Sequence, residues 1–329
     1  MYNYSDIRNI HLEITSRCQA SCPMCARNLQ GGPVNPYITE TEITLEKFVE
    51  WFPVDFVKQL TGLLMCGNLG DPIVAKDTLE ILKYLRSNNA TMKLSMNTNG
   101  SARSTTWWQE LAELGVVVRF GIDGMADTHK LYRVGTDWQK IIDNATAFIQ
   151  AGGYAMWDML LFKHNEHQQE ECRALSEQLG FKEFHPKNTS RFRAEGLPVI
   201  DKTGHTSHMI FPTEKSAKLS NKIYKLNEIS VKTTITCKVQ EQKNLYVSST
   251  GNVSPCCWTD MEWMLPNGFA RIDYMDKIDE YHNLNTKSLQ EIFETGYFKK
   301  ITDTWDSDSP LLACSKNCGT VDRFNEQFK

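Results

Sequence analysis

Long apolar runs are missing from this 329-residue chain. No stretch approaches the roughly 18 uninterrupted apolar residues that a membrane-spanning helix needs. The start, Met1 to Ile14, carries Asp6, Arg8, His11 and Glu13, which excludes the apolar core of a secretory signal. A cytoplasmic location is the expectation. A basic excess is missing too, because the net charge is −4. Sequence-independent nucleic-acid binding needs a basic surface that displaces counterions, so nucleic acid is set aside as a partner. A small anionic or peptide substrate stays open. There is no low-complexity tract and no close repeat beyond an alternation of strands and helices. Hydrophobic residues make up 41% and charged residues 23%, the balance of a folded soluble chain. Its length favours one barrel plus a smaller appendage over a single core.

Cysteine, by contrast, is plentiful at ten residues. In a reducing compartment clustered cysteines are more often metal ligands than disulfides. Cys18, Cys22 and Cys25 stand near the start, Cys237, Cys256 and Cys257 later, and Cys314 and Cys318 near the end. Cys66 and Cys172 stand alone and read as small buried apolar residues. His164, His167, His205 and His208 read as solvated loop histidines.

Hydrophobic periodicity places strands at His11–Thr15, Gly62–Cys66, Met92–Met96, Val116–Ile122, Tyr154–Phe162 and Phe181–His185. Helices are expected over Thr44–Gln59, Lys76–Arg86, Thr105–Leu114, Trp138–Gln150 and Glu166–Leu179. Strands joined by helices of this length form a parallel sheet with right-handed crossovers. Six such units predict an open α/β barrel of the (β/α)6 kind, with chemistry at the C-terminal ends of the strands. From Arg191 to about Thr213 the periodicity is lost, which suggests a connection. The expected division is a barrel over 1–213 and a small α+β unit over 214–329. In the second unit Glu214–Ser230 and Lys287–Thr302 read as helices, and Thr250-Gly251 as the turn of a hairpin.

The run after the first strand, Glu13-Ile-Thr-Ser-Arg-Cys18-Gln-Ala-Ser-Cys22-Pro-Met-Cys25, has the spacing CxxxCxxC. Three thiolates on a short loop can hold three irons of a cubane and leave the fourth iron open. A structural zinc site would normally supply four ligands, and no fourth Cys or His lies in this loop. The motif resembles the signature of the radical S-adenosylmethionine (SAM) superfamily. Met24 stands where that superfamily often has an aromatic residue, and is assigned to the SAM pocket. The resemblance implies a [4Fe–4S] cluster on Cys18, Cys22 and Cys25. It also implies a one-electron donor such as a flavodoxin or ferredoxin, and cleavage of SAM to methionine and a hydrogen-abstracting 5′-deoxyadenosyl radical.

The same resemblance extends to the strand ends. Gly67-Asn68-Leu69-Gly70-Asp71-Pro72 resembles the family's Gly-Gly-Glu-Pro segment, so Gly70, Asp71 and Pro72 are expected at the SAM amino group. Ser95, Asn97 and Asn99 are expected near the ribose. Gly121-Ile-Asp123-Gly124 resembles the Ser-Leu-Asp-Gly segment, with a glycine where the serine contact would be. Asp123 remains, and Arg133 matches an arginine that pairs with the SAM carboxylate, a role suited to a planar, permanently charged fork.

In the second zone, four thiolates from three chain segments can enclose a second iron–sulfur cluster or a zinc ion. Spacing alone does not separate the two. A cysteine, then Gly-x4-Cys after a hairpin, then a terminal pair resembles the twitch domain, the shortened relative of the SPASM domain. That resemblance implies an auxiliary [4Fe–4S] cluster on Cys237, Cys256, Cys314 and Cys318, with Cys257 spare. It further implies peptide or protein modification, with the auxiliary cluster as electron acceptor. The alternative is oxidation or rearrangement of an aminocyclitol, sugar or nucleotide. The short lead before the first strand leaves no expected peptide-recognition unit ahead of it, which narrows the margin for a peptide.

Overall fold

Alternation decides the faces of the first strand. In β1 (Asn9–Leu12) Ile10 and Leu12 are buried while Asn9 and His11 take the half-buried opposite face, the period-two pattern of a strand. The structure is a computed structural model and describes residues 2–192, 195–227, 233–260, 269–278 and 282–319. β1 lies earlier than the expected His11–Thr15. Thr15 and Ser16 leave the sheet to bond the 39–42 loop, Ser16 N–H donating to Thr41 O at 3.1 Å and Ser16 Oγ to Thr39 O at 2.8 Å.

The helices α1 (Leu45–Trp51) and α2 (Val54–Gln59) precede β2 (Gly62–Met65). One helix was expected there. Pro53 divides it, because its ring cannot continue a helix from the residue before. Then follow α3 (Thr78–Asn88), β3 (Lys93–Thr98), α4 (Thr105–Glu113) and β4 (Val117–Gly121). After them come α5 (Ala126–Tyr132), α6 (Trp138–Gln150), β5 (Tyr154–Leu160), α7 (Gln169–Leu179) and β6 (Glu183–Lys187). Thr44, Ser104 and Asp137 cap α1, α4 and α6 by accepting backbone N–H groups. The short α5 was not anticipated.

β1 to β6 pair in parallel and in sequence order. β6 ends the sheet without returning to β1, so the barrel is open, as expected. Pro186 in β6 fits only such an edge, where a missing N–H leaves no ladder partner unpaired.

The segment read as a plain connection contains a hairpin, β7 (Leu197–Ile200) and β8 (Thr206–Ile210). It is followed by α8 (Glu214–Asn227); the expected continuation to Ser230 lies outside the described residues. Beyond it, α9 (Lys238–Gln242) leads into β9 (Asn244–Val247), which pairs parallel with β1, Asn9 opposite Asn244 and Leu12 opposite Val247. β10 (Asn252–Ser254) returns antiparallel through Thr250-Gly251, where Gly251 has φ +91°. The C-terminal strands therefore continue the barrel's own sheet. α10 (Phe269–Lys277), β11 (His282–Asn283), α11 (Leu289–Glu294), α12 (Tyr297–Asp303) and α13 (Leu312–Cys318) complete the described fold. The helix expected over Lys287–Thr302 is divided at Gly296, whose φ of +78° turns the chain.

One apolar cluster runs from the helix-facing side of the barrel into the C-terminal helices, through Leu12, Met65, Leu245, Tyr274 and Phe298. A second, smaller one gathers Tyr132, Phe162, Phe192, Val199 and Ile210 around Cys22. Among the described residues no helix is long and apolar enough to cross a membrane.

Candidate active site

The Cys18–Cys25 loop leaves β1 at its C-terminal end and is held by backbone bonds to its neighbours. Ser21 N–H donates to Val134 O at 2.7 Å, and Cys25 N–H to Cys22 O at 3.0 Å. Arg27 anchors the loop's far side through Nε to Ser16 O at 2.9 Å and an ion pair with Glu40. Cys22 is buried and Cys18 and Cys25 are half-buried, with Met24 packed into the small apolar cluster beside them. Hydrogen-bond donors aim at the sulfurs. Ala20 N–H lies 3.4 Å and Asn99 Nδ2 3.6 Å from Cys18 Sγ, and Arg133 Nη1 lies 3.9 Å from Cys22 Sγ. Burial pushes the Cys22 thiol up to about 11, and Arg133 pulls against that rise. Sulfurs ringed by donors suit thiolates, so this donor set fits a metal cluster.

Gly70 and Asp71 form the loop after β2. A side chain on Gly70 would meet Thr15 O at 1.7 Å, and one on Gly67 would meet Gly70 O at 2.5 Å. Both glycines are required by this close approach. Leu69 between them is buried, with its N–H on Glu13 Oε1 at 2.6 Å. The Asp71 carboxylate is buried and fully used. It accepts Thr98 Oγ1 at 2.7 Å, Asn99 N at 2.7 Å, Asn99 Nδ2 at 2.6 Å and Ile73 N at 3.2 Å. It thus orders the end of β3, where Asn99 reaches Cys18. Pro72 is buried, its carbonyl accepting Thr78 Oγ1 at 2.5 Å.

Asn97 and Ser95 lie on the half-buried inner face of β3. Asn97 Nδ2 is 3.3 Å from Cys66 Sγ, and Ser95 Oγ donates to Leu63 O at 3.2 Å. Asp123 is buried, and its Oδ1 accepts Leu160 N at 2.6 Å. Its Oδ2 accepts Arg133 Nε at 2.6 Å. Burial raises the Asp123 carboxyl, and Arg133 opposes the rise.

The later cysteines meet in a different place. Cys237, Cys256, Cys257, Cys314 and Cys318 all line one cavity of about 500 Å³. Cys237 ends the approach to α9, Cys256 follows β10, and α13 brings the last two. Cys237 and Cys318 are neighbours, and their contact holds the Cys237 thiol below its ordinary range. Cys256 lies within electrostatic reach of both Cys314 and Cys257, and Cys66 is within reach of Cys257. Several thiols on the wall of one cavity are a donor set that fits an iron–sulfur cluster.

Two groups of residues escaped the sequence reading. Glu13 and Tyr246 are fully buried and bonded to each other at 2.5 Å. Glu13 is a charged residue within the expected strand His11–Thr15, just past the end of β1, and that was the available signal. On the inner face of β4 to β6, Asp158 accepts Lys187 Nζ at 2.6 Å and Arg119 Nη1 at 3.0 Å, with His185 Nδ1 at 3.2 Å. Their alternate positions along three strands carried that signal.

Comparison with known proteins agrees with this layout. The model of the radical SAM superfamily matches residues 12–175, and that of the SPASM iron–sulfur cluster-binding domain matches residues 237–319. The tungsten-containing aldehyde ferredoxin oxidoreductase cofactor-modifying protein of Pyrococcus furiosus is 23% identical over 260 residues, 76% of this chain and 71% of that one. The solved structure of anSMEcpe with bound AdoMet and Cp18Cys peptide shares the fold at 16% identity. It has a TM-score of 0.56 and covers 97% of this chain and 95% of that one. Streptococcus suis SuiB bound to its precursor peptide SuiA does so at 11% identity and TM-score 0.55, covering 94% and 70%. With both domains matched and the motif loop at the strand end, the chain belongs to the radical SAM superfamily, as an iron–sulfur, SAM-dependent enzyme of the SPASM/twitch type.

Proposed function

We propose that this enzyme modifies a peptide or protein by hydrogen abstraction, with residues 1–213 as the catalytic barrel and 214–329 as the auxiliary unit. Cys18, Cys22 and Cys25 would hold the [4Fe–4S] cluster. Cys237, Cys256, Cys314 and Cys318 would hold the auxiliary one. Bound there, the first cluster and SAM supply a hydrogen-abstracting radical, and the auxiliary cluster supplies an acceptor for the electron an oxidation leaves over.

The remaining roles belong to the chain's own side chains. Arg133, fixed by Asp123, would face the SAM carboxylate. Asp71 would set Asn99 and the loop 67–71 around the amino group. Ser95 and Asn97 would line the ribose side. The enclosing barrel excludes water from a reactive species. A flavodoxin or ferredoxin is the proposed reductant, in the cytoplasm.

The observation that carries the peptide reading is the polar inner wall of β4 to β6. Arg119, His185 and Lys187 gather on Asp158 there, a polar surface that an extended peptide backbone and its side chains can engage. The peptide-bound relatives of the same fold support it. The test is mass spectrometry of short precursor peptides, and of aminocyclitols and sugars, after anaerobic incubation with SAM and reductant. A mass change in a peptide alone supports the proposal. A change confined to the small molecules overturns it in favour of small-molecule oxidation.

A further inference from the structure

A polar chain, half-buried at Asn68 and fully buried at Glu13 and Tyr246, joins the two cysteine sites through side chains to which neither site's chemistry assigns a role. Asn68 stands at its centre. Its backbone oxygen lies 3.9 Å from Cys25 Sγ, in the first site. Its side-chain Nδ2 donates to Cys257 O at 3.3 Å, one residue beyond Cys256. The same Nδ2 lies 3.3 Å from the Tyr246 hydroxyl. The Tyr246 hydroxyl donates to Glu13 Oε2 at 2.5 Å, and Glu13 Oε1 accepts Leu69 N at 2.6 Å and Gly70 N at 3.0 Å. Glu13 and Tyr246 are both 0% exposed, so no water replaces a lost partner.

The elements these residues come from give the chain its meaning. Glu13 follows β1, which precedes the first cysteine loop. Asn68 belongs to the loop that ends in Asp71. Tyr246 sits in β9 of the C-terminal unit, and β9 pairs with β1. A buried carboxylate needs every lone pair engaged. The phenol that completes Glu13 comes from the auxiliary unit. Gly70 already touches Thr15, so the loop has no slack with which to answer a shift of Cys257. A change of geometry or charge at Cys256 and Cys257 is therefore passed to loop 67–71.

We infer that Glu13, Asn68 and Tyr246 are positioning residues that couple SAM binding at loop 67–71 to the state of the auxiliary site. The inference rests on the proposed SAM pocket. Linkage makes it reciprocal: if the auxiliary site alters SAM affinity, SAM alters the auxiliary site by the same factor.

The test uses anaerobically reconstituted full-length protein. SAM affinity is measured by equilibrium dialysis for wild type, Tyr246→Phe and Asn68→Ala. The auxiliary cluster's midpoint potential is followed by EPR redox titration with and without SAM. Loss of the hydroxyl's two hydrogen bonds, to Glu13 and from Asn68, predicts SAM binding weakened about tenfold or more in Tyr246→Phe. In wild type, SAM is expected to move the auxiliary midpoint by about 59 mV, a tenfold effect for a one-electron couple. In Tyr246→Phe that movement is lost. A merely structural bond would lower the melting temperature and leave the SAM-induced movement intact, which overturns the inference. So does SAM affinity within twofold of wild type in both variants. If Tyr246→Phe fails to fold, Asn68→Ala decides by the same criteria. Wild-type protein that binds no SAM would instead refute the proposed function, so the two failures are distinct.

Discussion

The Arg133 guanidinium occupies the space that a side chain at Gly121 would need. A Cβ there would stand 2.5 Å from Arg133 Nη2 and 3.0 Å from its central carbon. The glycine that replaces the family's usual serine is therefore room made for the arginine. Arg133 crosses over the end of β4 to reach both Asp123 and Cys22.

Gly121→Ser should displace Arg133 from that position. Because the clash is with the end of a flexible side chain, the fold should survive at a cost of about 1–3 kcal/mol. SAM affinity should fall severalfold with iron content unchanged. Chemical denaturation and equilibrium dialysis on the same preparation check both parts. Undiminished SAM binding would show that the position of Arg133 is immaterial.

Arg133→Gln and Asp71→Asn should each weaken SAM binding by about tenfold or more, for different reasons. The first removes the charge that would face the SAM carboxylate and leaves buried Asp123 without its cation. Such broken pairs cost about 3–5 kcal/mol, so Arg133→Gln should also be clearly destabilised. Asp71→Asn instead turns one acceptor into a donor facing Asn99, and loosens the end of β3. Iron content should stay at the wild-type level in both. Wild-type affinity in both variants would remove the pocket as drawn.

The barrel alternation and the first site were legible because their signals are local. A period-two strand, a glycine-ended helix and a CxxxCxxC loop each need only a few neighbouring residues. The breaks at Pro53 and Gly296 were equally local, but the apolar spacing on either side of each suggested one continuous helix. The hairpin of β7 and β8 was hidden because its strands are short and mostly polar outside Leu197–Ile200. Its inner side chains, Val199 and Ile210, are buried against the cysteine loop only in three dimensions. The pairing of β9 with β1, and with it the bond between Tyr246 and Glu13, joins residues 233 positions apart. No spacing rule reaches that far. Cys256, and not Cys257, was chosen by the Gly-x4 interval, and both line the same cavity as Cys237, Cys314 and Cys318.

His129 gives the fold an acid-sensitive point. It is 0% exposed, accepts Asp123 N–H on Nδ1 at 3.1 Å, and meets Thr136 Oγ1 through Nε2 at 3.0 Å. Nδ1 must therefore be unprotonated, and burial with Arg133 nearby lowers its pKa from 6.5 to about 3. A depressed pKa means the unfolded chain binds the proton more readily. The contribution is thus whole above pH 6.5 and is lost as pH falls toward 3, by up to about 1.4 kcal/mol per unit. Denaturant midpoints at pH 7 and pH 5 should drop more in wild type than in His129→Gln. An equal drop in both would rule out His129 as the source.

Two clusters predict about eight irons per chain, and about four when Cys237, Cys256, Cys314 and Cys318 are all replaced by alanine. That variant should still release 5′-deoxyadenosine from SAM, yet fail to complete product. Zinc in place of the second portion of iron, by metal analysis of anaerobically purified protein, would reassign the C-terminal site.

Cys18, Cys22 and Cys25 are proposed as the site at which SAM is cleaved. The most direct measurement is 5′-deoxyadenosine released by anaerobically reconstituted, chemically reduced protein, quantified by chromatography beside a Cys18→Ala/Cys22→Ala/Cys25→Ala variant. Release by the wild type and none by the variant is the expected result. Equal release from both, or none from a wild type that carries its full iron, would contradict it.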